Sequence, residues 1–300
     1  MSISHYIKTI GRGREGARAL DRAQARDLMG QILDGHVSDL ELGAFCIAMR
    51  IKGETDQEMA GFLDAAHARM RQIESSGPVV VLPSYNGARK LPVLTPLLAH
   101  LLAREGLAVV MHGSATESAR ITSQEVLQAM GIPVGAPKNP VHAGEVVFVP
   151  TEVLCPGLKR LLDVRRTVGL RNPAHSLVKL MNPTTFADAL LISSYTHPEY
   201  AVSMAATFKL TGARALLLRG TEGEVVADAR RTPQIDAFVR GVMTPLVASQ
   251  TGPLMKLPDW PTELDAISIA HYTQDVLEGK RPAPAPLIAQ VQAARKALSL

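Results

Sequence analysis

The sequence holds little of what builds several kinds of site. It has two cysteines, Cys46 and Cys155, with no C-x-x-C spacing, so cysteine alone cannot fill a four-ligand zinc site. Cys46 falls in an apolar helical pattern with Leu42, Phe45 and Met49, where a small buried thiol is the expected role. No apolar run approaches the ~20 residues of a membrane-spanning helix, and no membrane partner is expected. The opening MSISHYIKTIGRGREGAR is polar and basic, without the apolar stretch of a secretory signal, so the reading is cytoplasmic. Aromatic residues make up only 4%, which leaves base stacking without a broad platform. His5, His67, His142 and His175 are scattered without ligand spacing, so neither a metal nor a cofactor is expected.

What is present is ordinary globular material with a mild positive excess. Hydrophobic residues are 46% and charged residues 20%, enough apolar surface for a large core. Lys and Arg number 32 against 28 Asp and Glu, a net charge of +4, so the local distribution matters more than the sum. Lys8, Arg12, Arg14, Arg18, Arg22 and Arg26 form a basic run opposed only by Glu15, Asp21 and Asp27. A solvated helix face would explain such a run. Glycines 11, 13 and 16 loosen its start, which equally suits a segment wrapping phosphate.

Punctuation along the chain predicts two kinds of structure. Asp21 with Gln24, Ser38 with Glu41, and Thr55 with Glu58 each have capping-box spacing ahead of apolar positions at helical period. Gly35 and Gly53 stand where the first two of these helices should stop. After about residue 75 the pattern changes to short apolar runs separated by helical stretches. Val79–Leu82 reads as a buried strand ended by Pro83; Thr95-Pro96 reads as a cap with proline in the first turn. Residues 107–111, 146–149, 189–193 and 215–219 continue the strands, Thr122 with Glu125 caps another helix, and helices are expected near 263–278 and 286–298. The expected fold class is α/β: a small N-terminal helical domain over 1–75 and a larger α/β domain over 76–300 with a mainly parallel central sheet. Part of about 150–180 could pack back on the helical domain.

Five segments in order carry a resemblance. They are residues 32–55 (ILDGHVSD through AMRIKGET), His112-Gly113, Arg165-Arg166-Thr167-Val168-Gly169-Leu170-Arg171, Asn182-Pro183 and Arg219-Gly220-Thr221-Glu222-Gly223. Together they resemble the anthranilate phosphoribosyltransferases, of the glycosyltransferase family 3 or nucleoside-phosphorylase-type fold, over nearly the whole chain. The resemblance implies a two-fold homodimer through the helical domain, and a glycine-rich G-T-G-G-D loop that would hold pyrophosphate on backbone N–H groups. The chain departs from that pattern where the chemistry is done. Pro83-Ser84-Tyr85-Asn86-Gly87 stands in place of the loop, with proline lacking a donor and Gly87 where the aspartate would be. S-G-S-A-D becomes Ile121-Thr122-Ser123-Gln124-Glu125, and K-H-G becomes Met111-His112-Gly113. The Asp-Glu pair that would bind magnesium is Val225-Val226, and valine has no oxygen for a hard cation.

Cations, by contrast, stay or appear. Arg89 and Lys90 follow the altered loop, Arg165, Arg166 and Arg171 are retained, Lys179 replaces a proline and Arg219 a histidine, and Arg230-Arg231 lies beyond. Each of these also has a plain reading as a surface charge or a structural ion pair. Tyr85 is either a base-stacking residue or a packed loop residue, and His112 is expected in a loop lining the cleft. The pattern resembles the degenerate, YbiB-type branch of the family, described as nucleic-acid-binding. Non-sequence-specific binding of single-stranded DNA or RNA in a basic groove is therefore the expected function, with no base-reading motif in the chain. Two alternatives stand beside it: a transferase of altered chemistry using His112, Ser123 and Arg165 with Arg171, and a non-catalytic protein-interaction scaffold.

Overall fold

The structure, a computed structural model, describes residues 2–117, 119–254, 259–261 and 263–300. The chain divides into two compact units, Met1–Arg71 with Thr151–Pro183, and Gln72–Pro150 with Thr184–Leu300. No helix among the described residues is long and apolar enough to cross a membrane.

The first unit is helical. Its three longest helices before residue 70, Arg22–Leu33, Asp39–Lys52 and Asp56–His67, each begin in a complete capping box at Asp21, Ser38 and Thr55. Each box satisfies two backbone donors that a helix start would otherwise leave open, typically about 1 kcal/mol per cap. Leu28, Met29, Phe45, Met49 and Phe62 are buried at its centre, with the rings of Phe45 and Phe62 edge to face at 6.2 Å. Gly61 makes the crossing of the first and third of these helices possible. A Cβ there would sit 2.4 Å from the Arg22 carbonyl oxygen, so any side chain would force the helices apart. Helix Pro156–Val168 adds Leu158, Leu161 and Leu162 to this core and stops at Gly169 in the left-handed conformation. Two short helical segments, Ser4–Ile10 and Gly13–Gly16, carry the start of the basic run.

The second unit is a seven-stranded sheet with helices on its faces. The strands are β1 Val79–Ser84, β2 Ala108–Gly113, β3 Val146–Pro150, β4 Leu190–Tyr195, β5 Ala215–Arg219, β6 Ile235–Val239 and β7 Val242–Val247. Their order is β3-β2-β1-β4-β5-β6-β7, with β1 to β5 parallel and β6 and β7 antiparallel. Continuous β-branched and leucine runs suit strands covered on both faces, and β1 and β2 are buried along their whole length. Helix Thr95–Arg104 packs Leu97, Leu98 and Leu102 into the core cluster, to which helix Ala285–Ser299 adds Leu287 and Val291.

Three local expectations change. Pro83 does not end β1, which continues to Ser84 paired with Gly113. The β1–β4 ladder covers only Val80–Val81 against Leu190–Leu191, so Pro83 lies where β1 has already parted from β4 and the missing N–H costs little. Thr95 is not the cap of its helix: Leu94 holds that position without a side-chain bond, and the Thr95 hydroxyl is used elsewhere. The β6–β7 hairpin was not anticipated from the sequence. Its turn, Arg240-Gly241, has both residues at positive φ, the two-residue geometry that matches strand twist.

Candidate functional site

Strand order reverses between β1 and β4, the place in an open parallel sheet where loops diverge and ligands are usually bound. The crevice there is filled by the chain itself. Glu224 is 1% exposed, and its carboxylate accepts five hydrogen bonds from separate parts of the unit. Oε1 takes the backbone N–H groups of Asn86 and Gly87, both at 2.9 Å. Oε2 takes the hydroxyls of Ser84 at 2.5 Å, Thr95 at 3.0 Å and Ser123 at 3.5 Å. Ser84 and Ser123 lie 2.8 Å from each other. No Lys or Arg pairs with this carboxylate among the described residues, so its charge is held by dipoles alone.

The backbone around Glu224 is fixed from both sides. Glu222 stands at φ +52° and Gly223 at φ +94°. A Cβ on Gly223 would fall 1.9 Å from the Asn86 amide nitrogen, which donates to the Gly223 carbonyl at 2.8 Å, so only glycine fits. The Ser194 hydroxyl at the end of β4 donates to the same carbonyl at 3.1 Å. On the other side the buried Gln290 amide donates to the Val225 carbonyl at 2.7 Å and accepts from the Ala227 N–H at 2.8 Å. Val225 and Val226 are buried in the apolar core. Glu222 repeats the Glu224 arrangement at the surface, accepting from the backbone N–H groups of Arg89 and Lys90 at 2.5 and 3.1 Å.

The altered loop therefore keeps anion-binding donors, contrary to the expectation from Pro83–Gly87. Asn86 and Gly87 still aim consecutive N–H groups at one point, with Gly87 at φ +62°, and the chain supplies the anion. His112 is also corrected. It lies within β2, fully buried, with Nδ1 2.9 Å from the Tyr85 hydroxyl and the rings edge to face. Desolvation pushes its imidazole down to about 3, so it is neutral at any physiological pH and lines no cleft. Tyr85 is buried against it and offers no face to a base. Ser123 is buried and spent on the Glu224 cluster. Among the described residues, no three His, Cys, Asp or Glu side chains gather to hold a metal ion.

The cations are distributed as follows. In the first unit Lys8, Arg12 and Arg18 are exposed, and none has a carboxylate partner among the described residues. The side chain of Arg14 lies outside the described residues. Arg166 is exposed but within 3.5 Å of Asp163; Arg165, Arg171 and Lys179 are half-buried. In the second unit Arg89, Lys90 and Arg219 are exposed at the carboxyl ends of β1 and β5 without ion pairs among the described residues. Arg230 is taken up by Asp228 at 2.6 Å, and Arg231 donates to the Gly252 carbonyl. The residues that sequence reasoning missed are Glu224, Thr95 and Gln290. The one signal for Glu224 was an acid set between Gly223 and the apolar Val225-Val226-Ala227, a place where a solvated side chain has no room.

Residues 4–70 match the helical bundle domain of the glycosyl transferase family. The uncharacterized protein YbiB of Escherichia coli is 41% identical over 298 residues, covering 97% of this chain and 92% of that protein. An anthranilate phosphoribosyltransferase of Thermus thermophilus is 27% identical over 275 residues, covering 88% of this chain and 81% of the enzyme. A crystal structure of the anthranilate phosphoribosyltransferase from Thermus thermophilus superposes with a TM-score of 0.73 at 24% identity, covering 97% of this chain and 87% of that one. The chain belongs to the anthranilate phosphoribosyltransferase-like proteins of glycosyltransferase family 3, in the YbiB branch.

Proposed function

We propose that this protein binds single-stranded DNA or RNA with little sequence preference, as a homodimer, and carries out no transfer reaction. The observation that carries the reading is that, of the cations singled out in the sequence, Lys8, Arg12 and Arg18 in one unit and Arg89, Lys90 and Arg219 in the other are exposed with no carboxylate partner among the described residues. Cations already neutralised inside the chain cannot release counterions from a phosphate backbone, and these can. The half-buried Arg165, Arg171 and Lys179 and the paired Arg166 and Arg230 would add less. Arg14 belongs to the same basic run by sequence alone.

A transferase of altered chemistry has weaker support. His112 is enclosed and neutral, Ser123 already serves Glu224, and the backbone donors that would meet a leaving pyrophosphate hold a carboxylate. For the homodimer, helix Asp39–Lys52 offers a row at 3.5-residue spacing, Leu40, Ala44, Ile47 and Ile51. Leu40 is 84% and Ile51 70% exposed, apolar area that a partner would cover.

The test is a salt titration of binding to a labelled single-stranded oligonucleotide, on a sample whose mass is read by light scattering. Affinity should fall about tenfold or more between about 50 and 300 mM sodium chloride, and the mass should be twice that of the chain. Affinity that stays flat across this range rejects the reading.

A further inference from the structure

We propose that Glu224 is an internal stand-in for an external oxyanion: its carboxylate fills a formed anion cradle between β1 and β4, and this one side chain closes the site to phosphate-like ligands. The inference is independent of nucleic-acid binding, since it concerns a fully buried cluster rather than the exposed cations.

The donors are arranged for an anion rather than for the convenience of one glutamate. They come from Ser84–Gly87 at the end of β1 and the loop after it, from the first residue of helix Thr95–Arg104, and from Ser123, three stretches separated in sequence. A structural carboxylate is usually buried against a cation or as a cap; this one meets two N–H groups and three hydroxyls. Consecutive N–H groups aimed at one oxygen, with a glycine at positive φ, form a concavity that holds phosphate-type anions equally well. The position, at the reversal of strand order, is where an open parallel sheet presents a ligand.

The plug is also held so that no dissolved anion can compete. Gly223 is locked against Asn86 and Ser194, and Gln290 grips the backbone on either side of Val226. A carboxylate delivered by its own backbone acts at an effective concentration far above that of any free ligand. It also repels a second negative charge. Glu222, two residues earlier, is partly exposed and binds the next pair of N–H groups, but it lies outside the cradle.

Calorimetric titration of the full-length protein with sodium pyrophosphate, without divalent cations, tests this. Glu224→Ala should bind pyrophosphate at least about tenfold more tightly than the wild type, which should show no saturable heat. Glu224→Gln, similar in shape but turning an amide toward N–H donors, should gain less. The melting temperature of Glu224→Ala should rise with pyrophosphate, inorganic phosphate or formate, and not with chloride at equal ionic strength. Glu222→Ala removes the same charge outside the cradle and should gain nothing; an equal gain there overturns the proposal. A folded Glu224→Ala that binds no better than wild type and is stabilised by none of these anions also overturns it. If the variant folds only in their presence, a higher refolding yield in pyrophosphate than in chloride supports the cradle. Equal failure in both overturns it.

Discussion

The basic run of the first unit and the strand ends of the second handle charge in opposite ways. Between residues 8 and 18 the described cations face solvent and none pairs with a carboxylate among the described residues; Arg18 is held only by the backbone carbonyls of Glu15 and Ala17. At β1 and β4 a negative charge is taken inside and every donor around it is satisfied by the chain. The first region is electrostatically unfinished and the buried Glu224 cluster of the second is complete, while Arg89, Lys90 and Arg219 outside that cluster have no ion pair among the described residues. An outside anion gains most where nothing inside has neutralised the field, so a fold that resembles an enzyme's is better read for binding at its unfinished region.

The sharpest way to break that contrast is to reverse unpaired cations of the basic run together with those at the strand ends of the second unit. Changing Arg12, Arg18, Arg89 and Lys90 to Glu should weaken single-stranded oligonucleotide binding by about 100-fold or more at low salt, because several phosphate contacts are lost and replaced by repulsion. Since all four side chains are exposed, the melting temperature should move little. Full binding by this variant would place the interaction elsewhere on the molecule.

The interior of the second unit should answer to protons instead of salt. Burial holds the His112 imidazole down at about 3, against 6.5 for the free group. The unfolded chain therefore takes up this proton first as the pH drops. The stability is fully present above about pH 6.5 and is lost as pH falls toward the folded value, about 2 kcal/mol of it by pH 5. The lowered His100 acts in the same direction in this unit, as do the lowered His67 and His175, the latter held at about 4, in the first unit. Thermal melts between about pH 7 and pH 5 should show a steep loss for the wild type and a shallower one for His112→Gln. Parallel slopes would mean that His112 takes up its proton inside the folded protein.

Much of the architecture was legible because it is written in local signals. Four capping boxes, at Asp21, Ser38, Thr55 and Thr122, form as their spacing indicates, and the parallel strands follow their apolar runs. The β6–β7 hairpin was not legible, because Arg240 adopts a positive φ that its residue type does not announce. The site was half legible. Reading Pro83–Gly87 as a loop stripped of donors followed from side chains, whereas the donors that matter are backbone N–H groups, which every residue but proline carries. Thr95 looked like a cap, and its partner proved to be an acid 129 positions away, a distance no local pattern spans. His112 was expected in a loop because the apolar run reads as a strand only to residue 111, although the register carries β2 through His112 and Gly113.

The smallest expected effect tests whether the basic run acts as separate charges or as one built site. Arg12 is exposed, makes no ion pair among the described residues and sits at a bend between two short helical segments. If it meets one phosphate as a point charge, Arg12→Ala removes about one released counterion. The slope of log affinity against log salt should then become shallower by roughly 0.7 for a single strand, with affinity down only a few-fold at low salt. The loss should be the same on oligonucleotides of different sequence, because a phosphate contact carries no base information. A guanidinium reading a base edge would behave otherwise, with a sequence-dependent loss of about 1–3 kcal/mol and a salt slope nearly unchanged. Measuring both slope and sequence dependence on the same variant separates the two. A loss confined to one sequence would mean that the unfinished region holds a specific pocket instead of a diffuse field.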